Sequence, residues 1–174
     1  MFAQNALTLN VTLDDANKTL QIEQEIVYQN TSSDTLNTIL LNDWANSFEG
    51  KTTPLGTRFS EDYLRRFYFA KDEERGYTHV NSIFNESNAI LSWKRPDGKP
   101  DLIEVTPTNP ILPNQKVRLK LVYSVRVPSE KFTRYGYYDN GDYRLRYWYI
   151  VPAVYNGEWQ AYSHKNLDDQ FVSK

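Results

Sequence analysis

Cysteine is absent from the 174 residues, which removes disulfide staples, iron–sulfur ligation and thiol nucleophiles. Export stays open all the same, because a chain of this length buries enough surface to hold a core without staples. Histidine is scarce: His79 and His164 are the 2 present, and they lie far apart. No H-E-x-x-H occurs, so the chain carries no zincin active site. The 7 glycines form neither a phosphate-cradling loop nor the G-x-S-x-G elbow of a serine hydrolase. Neither sign of charge prevails, since 20 Lys and Arg face 22 Asp and Glu for a net charge of -2. That balance argues against nucleic acid, whose binding needs a basic surface that displaces counterions. No apolar stretch approaches the roughly 18 residues of a membrane span.

The remaining polar groups offer little chemistry. His79, between Thr78 and Val80, reads as a surface or core-edge residue. Asp14-Asp15, Glu73-Glu74 and Asp168-Asp169 sit in turn-like surroundings and read as solvated charges, unlike glycosidase carboxyls tuned by burial. Asp139-Asn140-Gly141-Asp142 lacks the spaced ligands and closing Glu of a calcium loop and reads as a hairpin turn. Sequons begin at Asn10, Asn17, Asn30 and Asn85; in an Asn- and Thr-rich chain such matches arise by chance.

What the sequence does have is a period of two. Leu7, Leu9, Val11 and Leu13 alternate with Thr8, Asn10 and Thr12. Leu20, Ile22, Ile26 and Tyr28 follow a polar Asp14–Asn17 link, so the pair predicts a β-hairpin with one buried face. Leu36, Ile39, Leu40 and Leu41, ending at Trp44, form a third run. Val117, Leu119, Leu121, Tyr123 and Val125 form another long amphipathic strand. Shorter strands are expected at Tyr77–Phe84, Ala89–Lys94 and Leu102–Val105, separated by the turns Arg95-Pro96-Asp97-Gly98 and Asn109–Asn114. One stretch has a helical period: Phe59, Tyr63, Leu64, Phe67 and Tyr68 predict a helix over 57–70 with Ser60 as its cap. The expectation is one domain over 1–174, mainly β, an antiparallel β-sandwich of two packed sheets with one inserted helix.

Two further features bear on function. The segment Tyr143–Asn166, YRLRYWYIVPAVYNGEWQAYSHKN, is dense in aromatics, and Met1-Phe2-Ala3-Gln4 is too short for a signal peptide. Those four residues are either an ordinary start or the remnant of a removed leader.

The order of LTLNVTLDDANKTLQIEQEIVYQNTSSDTLNTILLNDWANSF, TPLGTRF, RRFYFAKDEERGYTHV and KFTRYGYYDNGDYRLRYWYIVPAVYNGEWQAY resembles the N-terminal domain of zinc aminopeptidases of the aminopeptidase N type. The likeness is to their divergent, Bacteroidetes-like bacterial branch and covers nearly the whole chain. The first segment is similar to the family's opening hairpin and third strand. The last is similar to its W-Y-P-x-x-A-V-Y-D-x-x-G-W stretch. The resemblance implies a saddle-like β-sandwich followed by a thermolysin-like domain that holds zinc through H-E-x-x-H and a further Glu. This chain ends soon after Gly157-Glu158-Trp159, so the resemblance implies either a truncated chain or an isolated domain. No catalytic or metal residue and no cofactor belong to it, and zinc belongs to the missing catalytic domain.

The partners so implied are that downstream domain and the parent's peptide substrate, in an exported protein of the periplasm or cell surface. Tyr147, Trp148, Tyr149, Tyr155 and Trp159 become candidates for interdomain or substrate contact, with intradomain packing the competing account. The chain departs from the family's T-Q-W-Y-P pattern, since Arg146-Tyr147-Trp148-Tyr149-Ile150 puts Tyr147 in place of Gln and Ile150 in place of Pro. A tyrosine ring supplies no amide acceptor for a substrate ammonium, although its face attracts a cation. The alternative is a free-standing carbohydrate- or protein-binding module, with Arg134-Tyr135-Gly136-Tyr137-Tyr138 as a stacking platform.

Overall fold

The computed structural model describes residues 5–161. His164 and the Asp168-Asp169 pair lie outside them. Two four-stranded antiparallel sheets carry the fold. The first holds β1 (Ala6–Asp14), β2 (Thr19–Gln29), β4 (Tyr77–Phe84) and β7 (Lys116–Arg126), in the order β1-β2-β7-β4. The second holds β3 (Ile39–Asn42), β5 (Ser92–Lys94), β6 (Leu102–Thr106) and β10 (Val151–Pro152), in the order β10-β3-β6-β5. Short ribbons pair β8 (Gly136–Tyr137) with β9 (Tyr143–Arg144) and β11 (Val154–Tyr155) with β12 (Trp159–Gln160).

The alternation sets which side chains meet. Ile22, Ile26, Leu119, Leu121, Val125 and Ile83 of the first sheet pack against Ile39, Leu41, Ile103 and Val105 of the second in one core. Each such aliphatic side chain removed from water contributes about 1.5–3 kcal/mol before the entropy of ordering is subtracted. The outer face of the first sheet stays polar, with Arg118 and Glu25 paired across strands at 3.2 Å and His79 exposed on β4 opposite Ser124. Leu40 points the other way and joins Leu102 and Ala153 in a second cluster, which Trp159 and Ala161 cover. The second sheet is therefore covered on both faces.

Two expectations need correction. Val11 and Leu13 share a strand face with Leu7 and Leu9 but are 41% and 46% exposed. The strands of the second sheet are shorter than the nine-residue β1, and the far half of β1 is left uncovered at the sheet edge. The single helix over 57–70 is in fact two short ones, α1 (Pro54–Glu61) and α2 (Arg65–Tyr68). Thr53, not Ser60, caps α1 by accepting from the Gly56 N–H at 3.0 Å, with Pro54 in the first turn. Tyr63 breaks the helix at φ 58. Phe59 and Phe67 remain buried, whereas Tyr63, Leu64 and Tyr68 do not.

The turns form as expected. Gly98 (φ 69) closes the Arg95–Gly98 turn, and Gly141 (φ 88) closes the hairpin at Asp139–Asp142, where Asn140 Oδ1 accepts from the Asp142 N–H. Asn30, the third sequon, is wholly buried. Its amide donates to the carbonyls of Asp34 and Ile111 at 2.7 and 3.1 Å, which fixes the loop that leads out of β2.

Candidate docking surface

The aromatic segment is anchored before it is displayed. Gln24, on the inward face of β2, is 3% exposed. Its amide donates to the Ile150 carbonyl at 2.7 Å, the Tyr123 hydroxyl donates to Gln24 Oε1 at 2.5 Å, and the Ile150 N–H donates to the Tyr123 oxygen at 3.3 Å. This closed triangle satisfies every polar atom it buries and ties residue 150 to the centre of the first sheet. Burial raises the Tyr123 phenol far above its ordinary value, so it stays a neutral donor. The Ile150 N–H supplies one side of the triangle, which a proline at that position could not.

From that anchor the five candidate rings go to different places. Tyr147, at φ 51, is 51% exposed and sets its ring edge-on to Trp44 at 5.8 Å, with the Arg146 guanidinium 5.8 Å from the ring centre. Trp148 and Tyr149 are half-buried and stack edge-to-face at 5.2 Å. Tyr155 and Trp159 face each other across the β11–β12 ribbon at 5.2 Å, and Trp159 reaches Tyr28 at 5.9 Å. The Tyr155 hydroxyl donates to Asp34 at 2.9 Å. None of the five is fully buried. Trp148, Tyr155 and Trp159 lean on the main core, and Trp159 also caps the smaller cluster. Those three pack one side inward and leave the other to water, whereas Tyr147 and Tyr149 rest on the rings of Trp44 and Trp148.

Trp44 opens a 3-10 turn, Trp44–Phe48, held by a buried polar network. Asp43 is 1% exposed; it accepts from Arg95 at 2.6 Å and from the Thr78 hydroxyl at 2.7 Å. Arg95 also donates to the Pro100 carbonyl. Asn46 Oδ1 accepts from the Thr78 N–H at 2.8 Å. Burial pushes the Asp43 carboxyl above its ordinary value in spite of the guanidinium beside it. Arg95 and Lys99 also line an open cleft of about 590 Å³ with Glu49, Thr53 and Asp97.

The Arg134–Tyr138 run does not make a platform. Tyr135 is 2% exposed and packs against Trp44 and Phe48 at 5.2 and 5.5 Å. Lys18 sits 5.6 Å from the Tyr137 ring and Arg144 sits 4.5 Å from that of Tyr138. The two most exposed rings lie at the helix break, where Tyr63 is 83% and Phe69 75% exposed beside Tyr68 at 46%. With Ser60 and Arg65 they line a cleft of about 230 Å³. The adjacent pair Tyr68-Phe69 carried a hint of this, because neighbouring positions on a helix point about 100° apart and cannot both face one core.

Among the described residues no three His, Asp or Glu side chains converge as metal ligands do, and no helix is long and apolar enough to cross a membrane. No protein-family model matches the chain, and no curated protein matches it either.

Proposed function

We propose that the chain is a non-catalytic β-sandwich module of a zinc aminopeptidase-like protein, which packs against a downstream catalytic domain and borders the entry of its peptide substrate. The observation that supports this reading is a segment locked to the core through Ile150, on which Trp148, Tyr149, Tyr155 and Trp159 are half-buried and Tyr147 is exposed. Aromatics with one packed and one wet side, held by a rigid scaffold, are what an interdomain contact uses. The order and spacing of the segments similar to the aminopeptidase N-terminal domain add the identity of the partner. Zinc in this reading belongs to that partner, and no step of hydrolysis is assigned to this chain.

The test starts from the gene. The reading expects H-E-x-x-H in the sequence encoded downstream. That domain, expressed separately, should bind this chain in calorimetry, and Tyr147→Asp should weaken binding at least about tenfold, or 1.4 kcal/mol. A gene that ends without such a domain overturns the reading, as does hydrolysis of aminoacyl substrates by the pure chain alone.

A second reading, a free-standing module for carbohydrate or protein, draws on the cleft of Tyr63, Arg65, Tyr68 and Phe69. Exposed rings around a guanidinium suit a sugar face or a peptide side chain. A glycan array with specific hits lost in Tyr63→Ala would favour it over the first.

A further inference from the structure

We infer that the outer edge of β1 is a pairing edge for a second copy of this chain, joined antiparallel about a two-fold axis at Asn10. The inference is independent of the function proposed above.

β1 is an end strand of its sheet, and among the described residues only β2 pairs with it. Its backbone groups on the far side are therefore a template for another strand. Proteins guard such edges with lysine, proline, bulges or short strands. β1 has none of these. It reads ALTLNVTLD, nine residues with no Lys, Arg, Pro or Gly, and its register with β2 is regular from Ala6↔Val27 to Asp14↔Thr19. Its one charge, Asp14, stands at the end and already accepts from Asn17 at 2.7 Å. The opposite edge of the same sheet differs, for β4 is interrupted by a bulge between Val80 and Ser82.

The sequence of β1 is also complementary to itself. A two-fold axis at Asn10 sets Leu9 opposite Val11, Leu7 opposite Leu13 and Thr8 opposite Thr12 of the second copy. Leu7, Leu9, Val11 and Leu13 then meet one another on the core side, and Thr8, Asn10 and Thr12 meet one another on the other side, with Ala6 opposite Asp14 at the ends. A one-residue slip would put Asn10 opposite Val11 and bring the faces into conflict. Slips that keep the faces matched, centred on Leu9 or Val11, lose paired residues at the ends. The axis at Asn10 alone pairs the whole strand. It also places Val11 and Leu13, 41% and 46% exposed on the inner side, beside Leu9 and Leu7 of the partner and continues the apolar face across the junction. The occupant of this edge is a second copy, which meets β1 over all nine residues in a single register. The surface so joined is small, so the dimer is reversible and concentration-dependent.

The lack of cysteine makes the test clean. Asn10→Cys introduces one thiol, which the axis sets opposite its own copy with Cα atoms about 4.5–5.5 Å apart, within disulfide reach. Thr8→Cys faces Thr12, and its two copies lie about 13 Å apart along the strands. Mild oxidation with diamide should link Asn10→Cys into a covalent dimer on a non-reducing gel and leave Thr8→Cys unlinked. A mixture of Thr8→Cys and Thr12→Cys should give the mixed dimer. Sedimentation equilibrium of the unmodified chain should show reversible dimerisation that Val11→Lys abolishes. A chain monomeric at its highest soluble concentration overturns the inference. So does crosslinking of Thr8→Cys as readily as Asn10→Cys, or a dimer indifferent to Val11→Lys in a variant whose circular dichroism shows it folded. Should Val11→Lys fail to fold, the two cysteine variants decide.

Discussion

Asp43 shows how a single buried group couples stability to acidity. It is the charged centre of a network in which Arg95, Thr78 and Asn46 hold the turn after β3. Removal from water disfavours its charge more than Arg95 favours it, and the carboxyl lies above its ordinary 3.8. A carboxyl raised on folding adds stability below pH 3.8, and that contribution is lost as pH climbs through the raised value. Asn at this position has no proton to bind. Urea unfolding of wild type and Asp43→Asn should therefore diverge with pH, the wild type gaining on the variant as pH falls from about 7 to about 4. A difference that stays flat across this window would mean that Arg95 cancels the burial. None of this was visible in the chain itself, where Asp43 is one more polar residue after a strand.

The helix pair is the element where local pattern and outcome part. Spacings of three and four among Phe59, Tyr63, Leu64, Phe67 and Tyr68 correctly pointed to helix with Phe59 and Phe67 in the core, yet the same count drew Tyr63, Leu64 and Tyr68 onto a face they do not share. The better start signal was Thr53-Pro54, a capping hydroxyl before a proline in the first turn. Thr53 is also 8% exposed and donates to the Ser47 carbonyl at 2.7 Å. Thr53→Ala should lower stability by about 1–2 kcal/mol in a denaturant titration. Ser60→Ala, expected to be severe if Ser60 began the helix, should change it by no more than about 0.5 kcal/mol. Equal losses would restore the later start. Gly56 explains why a poor helix former is tolerated in α1. A Cβ there would lie 2.3 Å from the Gly50 carbonyl oxygen and 2.8 Å from the Lys51 backbone, so the close turn before the helix admits no side chain.

Across the whole molecule, the aromatic segment is held by residues remote from it in the chain. Gln24 and Ile150 are 126 positions apart and Tyr123 and Ile150 are 27 apart. Tyr123→Phe removes the hydroxyl that both serves Gln24 and receives the Ile150 N–H. It leaves two buried groups without partners, at a cost of about 1–3 kcal/mol by urea unfolding. Hydrogen exchange should quicken at Ile150 and at its β10 neighbours before it does in β2 and β7. An exchange pattern raised uniformly over the chain would show instead that the triangle stabilises the fold only as a whole.

The sequence alone was enough for the longer strands, the turns and the antiparallel β class, because alternation and turn chemistry act between residues a few positions apart, but not for the short strands β8 to β12. It placed β2, β4 and β7 almost to the residue and kept His79 on the surface. Only the tertiary structure decided that Val11 and Leu13 lie beyond the reach of the shorter sheet, that Tyr135 fills the core, and that Trp159 bridges two clusters. Those outcomes depend on which elements end where in space, and periodicity along a chain says which side a residue faces but not whether anything stands opposite it.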